Sequence, residues 1–403
     1  TRERFGEETQ TDLLTQRLHQ AALDFDRMFK DLLNSRSRLQ DQFKNLDSEE
    51  HETRQEIEYE LRLLQGRMQS LSRINALEIL TDHGLLPNYA FPERGVRFYG
   101  VVYNKYRDRA EDENKPVEVV RPAQTALKEL APRNYFYTHH RQFEIQQLAI
   151  GNPQQPLLQK WAICGNCGHM RRVEELGQPG ATLACPQCGF DRDDTSQMDQ
   201  GQQKQFLEFA QSQAISYMEY YDSLSGDRDE ERQRELYQVL TSFDQTGGGV
   251  AGAVGEDELP FGIEYRAAMI LREINVGYHD EEATIPFGPD QQAPDRGFLV
   301  CKHCGVAGLP DKPMEAADHR RSCSARRRYD RLRQEGRTGS PFQYESVYLY
   351  RQLRSEAIRV LLPLADSADF ETLRACIYLG LRLRFEGNPA HLLVFRQIMS
   401  DAA

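Results

Sequence analysis

The run Trp161-Ala162-Ile163-Cys164-Gly165-Asn166-Cys167-Gly168-His169, followed by Leu183-Ala184-Cys185-Pro186-Gln187-Cys188-Gly189-Phe190, has the spacing C-x2-C-x17-C-x2-C. A Cys-x-x-Cys turn brings two thiolates within reach of one cation, and the glycine after the second cysteine lets the backbone turn back sharply. Two such knuckles complete a tetrahedral all-sulfur shell. The segment therefore predicts a four-cysteine zinc ribbon with Cys164, Cys167, Cys185 and Cys188 as ligands. A closed shell leaves no position for a reacting water, so the site is structural. His169 then reads as a surface residue or a brace for the ligands.

A related set lies downstream. Cys301-Lys302-His303-Cys304-Gly305 and His319-Arg320-Arg321-Ser322-Cys323 follow C-x2-C-x14-H-x3-C, and a histidine with a cysteine four residues later shares one helical face with it. Cys301, Cys304, His319 and Cys323 are the expected ligands of a second zinc ion. Two readings compete: His303 in place of His319, or a redox cysteine pair beside an incidental histidine. Cys376, amid Leu373, Ala375 and Ile377, reads as a plain buried thiol.

Seven of the eight cysteines are thus used in pairs or near a histidine, and a long acidic chain without a leader pattern belongs in a reducing, cytoplasmic compartment. No stretch approaches the roughly 18 uninterrupted apolar residues of a membrane span. At 403 residues, with 39% hydrophobic and 28% charged, the chain is too long for one ordinary domain and polar enough to carry exposed helices or linkers.

The net charge of −12, from 62 acidic against 50 basic residues, argues against a generic nucleic-acid binder. That average hides one segment. Arg320, Arg321, Arg326, Arg327, Arg328, Arg331 and Arg333 face a single acid, Asp330. On a helix beside a zinc knuckle they form a stripe whose forked donors suit phosphates. Pairing with the protein's own acidic surplus is the competing reading.

The N-terminal segment is helical by its spacing. Leu14, Leu18, Ala21, Phe25, Met28 and Leu32, then Leu39, Phe43 and Leu46, repeat at four and three residues, as do Ile57, Leu61, Leu64, Met68 and Leu71. Asp47-Ser48-Glu49-Glu50 separates them, which predicts a hairpin with arms of roughly 35 residues, about 50 Å long. Pro87 and Pro92 then enforce an extended connector, and short β-like runs follow at 96–103, 117–120, 143–150 and 157–163. Phe206, Phe209, Ile215, Met218, Leu236 and Val239 have helical spacing within a Gln- and acid-rich stretch, and residues 246–255 read as a Gly-rich flexible connector. Glu256-Asp257-Glu258 after it would repel phosphate, so it is not a phosphate loop. Residues 346–363 read as strand and 369–399 as helix.

The fold class expected is α+β, in six segments: 1–84, a coiled-coil-like helical hairpin; 85–160, a mostly β platform; 161–190, the four-cysteine ribbon; 191–257, a helical acidic insert and linker; 258–335, the second zinc module with its Arg-rich helix; and 336–403, a C-terminal α/β segment. Thr1 opens the chain without an initiator methionine and an apolar helical pattern closes it, which reads as a piece of a larger protein.

Phosphate-loop, His-Glu-x-x-His and Gly-x-Ser-x-Gly motifs are absent from the sequence, and no catalytic residue is assigned. A resemblance enters through longer strings: residues 76–80 with Leu85-Leu86-Pro87-Asn88-Tyr89-Ala90-Phe91-Pro92, Leu271-Arg272-Glu273-Ile274-Asn275-Val276-Gly277, and residues 345–359. These resemble the region after the motor domains in large bacterial DEAD/DEAH-box superfamily 2 helicases, whose C-terminal cysteine-rich part is of the MrfA zinc-binding type. Helicases of anti-phage systems such as Druantia are similar, and in DISARM-like systems the cysteine-rich part is a separate subunit. The resemblance implies an accessory region that helps a motor, in the same protein or a partner subunit, to hold DNA or RNA in DNA repair or phage defence. The motor motifs of that family, and the Gly-rich segment expected after its closing helix, are not in this sequence. The rival expectation is a zinc-stabilised protein-interaction scaffold with no direct nucleic-acid role.

Overall fold

The computed structural model describes residues 7–46, 51–72, 77, 95–103, 117–152, 155–176, 184–191, 195–209, 213–219, 234–245, 250–254, 261–278, 283–288, 291–312, 314–361, 367–385 and 394. The architecture is mixed α+β. Among the described residues no helix is long and apolar enough to cross a membrane.

The chain begins with helices α1 (Glu7–Lys44) and α2 (His51–Ser72). Leu32 and Leu64 are buried between them with Phe25, Phe29, Leu39 and Met68, and the Arg54 guanidinium lies 4.7 Å from the Phe43 ring centre. The first helix has 38 residues, close to expectation, and the second is described over 22. Leu18, expected in the seam, is exposed. The connector at 85–92 falls outside the described residues.

Along the chain follow β1 (Val96–Tyr103), β2 (Val117–Arg121), α3 (Ala123–Glu129), β3 (Tyr135–Thr138), β4 (Arg141–Glu144), β5 (Gln147–Leu148), β6 (Gly151–Asn152), β7 (Gln155–Pro156), β8 (Leu158–Ile163), β9 (Met170–Arg172) and α4 (Val173–Leu176). Next come β10 (Gln203–Glu208), β11 (Gln213–Glu219), β12 (Gln238–Gln245), β13 (Val250–Val254), β14 (Phe261–Gly277), β15 (Thr284–Pro286) and β16 (Gln292–Pro294). The last are β17 (Phe298–Cys301), β18 (Ala307–Gly308), α5 (Ser324–Gln334), β19 (Tyr344–Leu361) and α6 (Ser367–Phe385).

A four-stranded sheet has the order β2-β1-β11-β5, and a nine-stranded sheet the order β12-β14-β19-β10-β8-β9, with β13 on β14 and the β17–β18 pair on β19. The large sheet is built on β14 and β19, of 17 and 18 residues, paired antiparallel with a bulge between Arg266 and Met269. On one side of the bulge, Ile274 and Val276 pack with Trp161, Phe206, Tyr348 and Tyr350 in one core. The Phe206 and Tyr348 rings meet edge to face at 5.3 Å, the geometry their quadrupoles favour. Beyond the bulge, Tyr265, Ile358, Val360 and Leu361 are exposed, so the outer halves form an arm.

Two expectations need correction here. The stretch around Phe206, Phe209, Ile215, Met218 and Val239 is not a helical insert but supplies β10, β11 and β12. An apolar spacing of three suits a helix, but in a strand it puts the residues on opposite faces, which fits a strand covered on both: Phe206 and Leu207 of β10 are both fully buried, in two different cores. Within the Gly-rich connector, Val250–Val254 is likewise a strand, paired with β14. β10 pairs in parallel with β19, and the large sheet takes strands from every segment after the hairpin.

Asn275 shows how α3 is attached to this sheet. Its fully buried side chain donates to the Leu127 carbonyl at 2.7 Å and accepts from the Gly277 amide at 3.0 Å. Leu127 sits in the last turn of α3, where carbonyls lack helical partners. Asn275→Ala is therefore expected to cost about 1–3 kcal/mol, read as a lower denaturation midpoint at unchanged slope.

Candidate metal centres

Three turns in the chain repeat one geometry. The amides of Gly168, Gly189 and Gly305 donate to the carbonyls of Cys164, Cys185 and Cys301 at 2.8, 2.8 and 2.9 Å. The cysteine amides in turn donate to His169, Phe190 and Val306, at 2.9, 2.8 and 2.8 Å. Each of the three glycines has φ between +71° and +76°, the left-handed region that side chains disfavour, which is why Cys-x-x-Cys-Gly recurs.

Cys164 and Cys167 lie in the turn between β8 and β9, and the second knuckle brings Cys185 and Cys188 to them. All four are buried and their sulfurs lie within 4.8 Å of one another. The Cys164–Cys188 and Cys167–Cys185 pairs are 3.7 Å apart, well beyond a disulfide. A tetrahedron with metal–sulfur bonds of about 2.3 Å has edges of about 3.8 Å, so one ion fits at the centre. Among the free thiols, hydrogen bonds from Cys164 and then Cys167 pull Cys185 down to about 2, while Cys167, facing Cys164, is pushed far up.

The second set also comes together. Cys301 ends β17, Cys304 closes the knuckle, His319 follows a short 3-10 turn, and Cys323 is the N-cap residue of α5. Their ligand atoms lie within 4.8 Å of one another. Cys304 Sγ is 3.5 Å from His319 Nδ1, close to the roughly 3.6 Å expected across a tetrahedral site with bonds of about 2.3 and 2.05 Å. His303 stays outside the cluster, exposed, with Nδ1 3.1 Å from the Ser324 hydroxyl.

Residues that sequence spacing does not reveal position His319. Its ring stacks on Phe342 at 4.2 Å, and Nε2 lies 3.0 Å from the Tyr344 hydroxyl. With a metal on Nδ1, Nε2 would carry the proton and donate to the Tyr344 hydroxyl, which would fix the ring. Burial, then the charges of Cys301, Cys304 and Cys323, push the Tyr344 hydroxyl up to about 12, so it stays neutral.

His169 is not on the surface but buried beneath the first cluster, 3.7 Å from Asp244. Asp244 also lies 3.8 Å from Arg272, whose guanidinium sits 4.9 Å from the Trp161 ring centre. Cys376 is exposed rather than buried, because the apolar stripe of α6 is left uncovered at Leu379 and Leu383.

The seven arginines divide. Arg320 points inward, to Glu60, with its guanidinium 3.5 Å from the Tyr217 ring centre. Arg326 is held by both carboxylate oxygens of Asp330 at 3.0 Å and by the Ala316 carbonyl. Arg327 is half-buried, and Arg321, Arg328, Arg331 and Arg333 are exposed. No family model, curated protein or solved structure gives a significant match to the chain.

Proposed function

We propose that the chain is the accessory zinc-binding region of an ATP-dependent nucleic-acid helicase or translocase of bacterial DNA repair or phage defence. In this reading two zinc ions act as folding staples, and the exposed face of α5 contacts the phosphate backbone. One observation supports it: α5 starts at Cys323, a member of the second cluster, and presents Arg328, Arg331 and Arg333 to solvent. A metal centre at a helix start would orient the helix, and guanidinium groups on the open side suit the charge and donor needs of phosphates. Zinc suits the donor sets, since thiolates and one imidazole at tetrahedral spacing favour a borderline-soft ion without a geometric demand of its own. Motor domains, in the same protein or a partner subunit, supply ATP hydrolysis, and this region holds the strand.

The test is fluorescence anisotropy with single- and double-stranded DNA and with RNA over a series of salt concentrations. Replacing Arg328, Arg331 and Arg333 together by glutamine is expected to weaken binding on the order of tenfold. The slope of log affinity against log salt is expected to flatten by about 0.7–0.9 for each phosphate no longer neutralised. Unchanged affinity and slope in a folded variant would sink the phosphate reading. The scaffold reading draws on a different observation, the exposed Ile358, Val360 and Leu361 of the β14–β19 arm with Leu379 and Leu383 of α6. Partner capture that disappears on polar replacement of those residues, with no nucleic-acid binding, would favour it.

A further inference from the structure

The loop 320–322 lies between two ligands of one cluster, His319 and Cys323, and its side chains reach the helical hairpin. Arg320 and the Ser322 hydroxyl both donate to Glu60 Oε1 on α2, the latter at 2.7 Å. The Arg320 guanidinium also covers the Tyr217 ring of β11 at 3.5 Å. At this point the hairpin, the small sheet and the second metal cluster meet. The junction is largely dry: the Arg320 and Glu60 side chains are 11% and 14% exposed.

Such a junction depends on its loop being held. Three residues between ligands have little conformational freedom when both ends bind one ion, and much more when neither does. Glu60 receives both hydrogen bonds from this one loop, through Arg320 and Ser322. The backbone adds one local tie, from the Cys323 amide to the Arg320 carbonyl at 3.0 Å, which closes the loop around Cys323.

We propose that the second metal centre is the latch of the helical hairpin: metal bound by Cys301, Cys304, His319 and Cys323 orders loop 320–322, and the loop clamps Glu60 to dock α1 and α2 on the body. Losing that metal releases the hairpin while the rest of the fold stays closed. The inference rests on metal binding by the second set and is independent of the nucleic-acid reading. It gives Arg320 and Ser322 a task inside the molecule.

Hydrogen–deuterium exchange by mass spectrometry on the full chain, with metal content measured on the same samples, tests it. In Cys323→Ser one of two metal equivalents is expected to be lost and exchange in the 51–72 peptides to rise at least tenfold, with the 161–190 peptides unchanged. Glu60→Gln is expected to raise exchange in 51–72 to a similar degree while both metal equivalents stay. This second variant keeps the test decisive if Cys323→Ser disturbs the body as a whole. Wild-type exchange in 51–72 for Glu60→Gln, or for a Cys323→Ser protein that has lost one metal, would overturn the latch. Retention of both metals in Cys323→Ser would overturn it too, by removing Cys323 from the ligand set.

Discussion

Cys185→Ser is expected to abolish metal binding at the first cluster and to unfold the region around it. Closed zinc sites in small domains contribute apparent binding free energies of about 10–16 kcal/mol at neutral pH, comparable with the whole stability of a typical domain. Here the consequence is graded by what lies beside the site. Among the described residues the knuckle 184–191 joins no sheet, and its own Phe190 packs against the four cysteines, so its attachment to the body runs through the cluster. β8 and β9 instead share the core of Trp161, Phe206 and Tyr350. The expected result is loss of one metal equivalent, rapid proteolysis within 173–200, and a fall in Tm of ten degrees or more, while far-ultraviolet circular dichroism keeps most of its strand signal. Chelation of the wild type reproduces this together with the effect of emptying the second site. Cys376→Ser, at an exposed thiol, leaves metal content and Tm unchanged and serves as the control. A Cys185→Ser protein with full metal content and unchanged Tm would mean that the cluster does not support the fold.

An added methyl group should distinguish the two knuckle glycines Gly305 and Gly189. Both have positive φ, +76° and +71°, so alanine at either carries the left-handed penalty of about 1–2 kcal/mol. Their surroundings differ completely. A Cβ on Gly189 meets nothing within 4 Å, whereas one on Gly305 would lie 2.1 Å from the Leu148 carbonyl oxygen. That backbone cannot step aside cheaply. The Leu148 amide donates to the Gly305 carbonyl at 2.9 Å, the Gln147 side chain donates to the Cys304 carbonyl at 2.5 Å, and β5 is itself the edge of the small sheet. Gly305→Ala must therefore part the second knuckle from β5, a loss on the order of 4 kcal/mol or more. Gly189→Ala is expected to show only the smaller cost. Denaturation midpoints with a competitive metal titration check both: the second site weakens in Gly305→Ala, and the first is nearly unaffected in Gly189→Ala. Equal effects at the two positions would mean that the close approach of Gly305 to β5 is wrong.

Both experiments separate what could be read from the chain from what had to be seen. The ligand quartets were legible because each Cys-x-x-Cys-Gly turn is set by a handful of adjacent atoms. The strand at 344–361, the start of the closing helix and the two N-terminal helices were legible for the same reason of local periodicity. The segments 203–208, 213–219 and 238–245 were not, since short apolar runs fit helix and strand alike until a neighbour selects one. For β10 that neighbour is β19, far along the chain.

The seven arginines make the same point in charge. Composition alone establishes that they are concentrated; it does not say which way each one points. Arg320 turns inward where α2 offers a carboxylate and β11 a tyrosine ring, while Arg328 lies on the side of α5 that meets solvent. Likewise His319 is named by its spacing from Cys323, but the Tyr344 and Phe342 that hold its ring come from a strand and the loop before it. Sequence by itself determined the mixed fold class and the two four-ligand sets, because ligand chemistry and turn geometry act over a few bonds. Only the tertiary structure decided how the segments interleave into one large sheet, which arginines remain at the surface and where the hairpin docks, because those energies arise between residues that the chain order keeps apart.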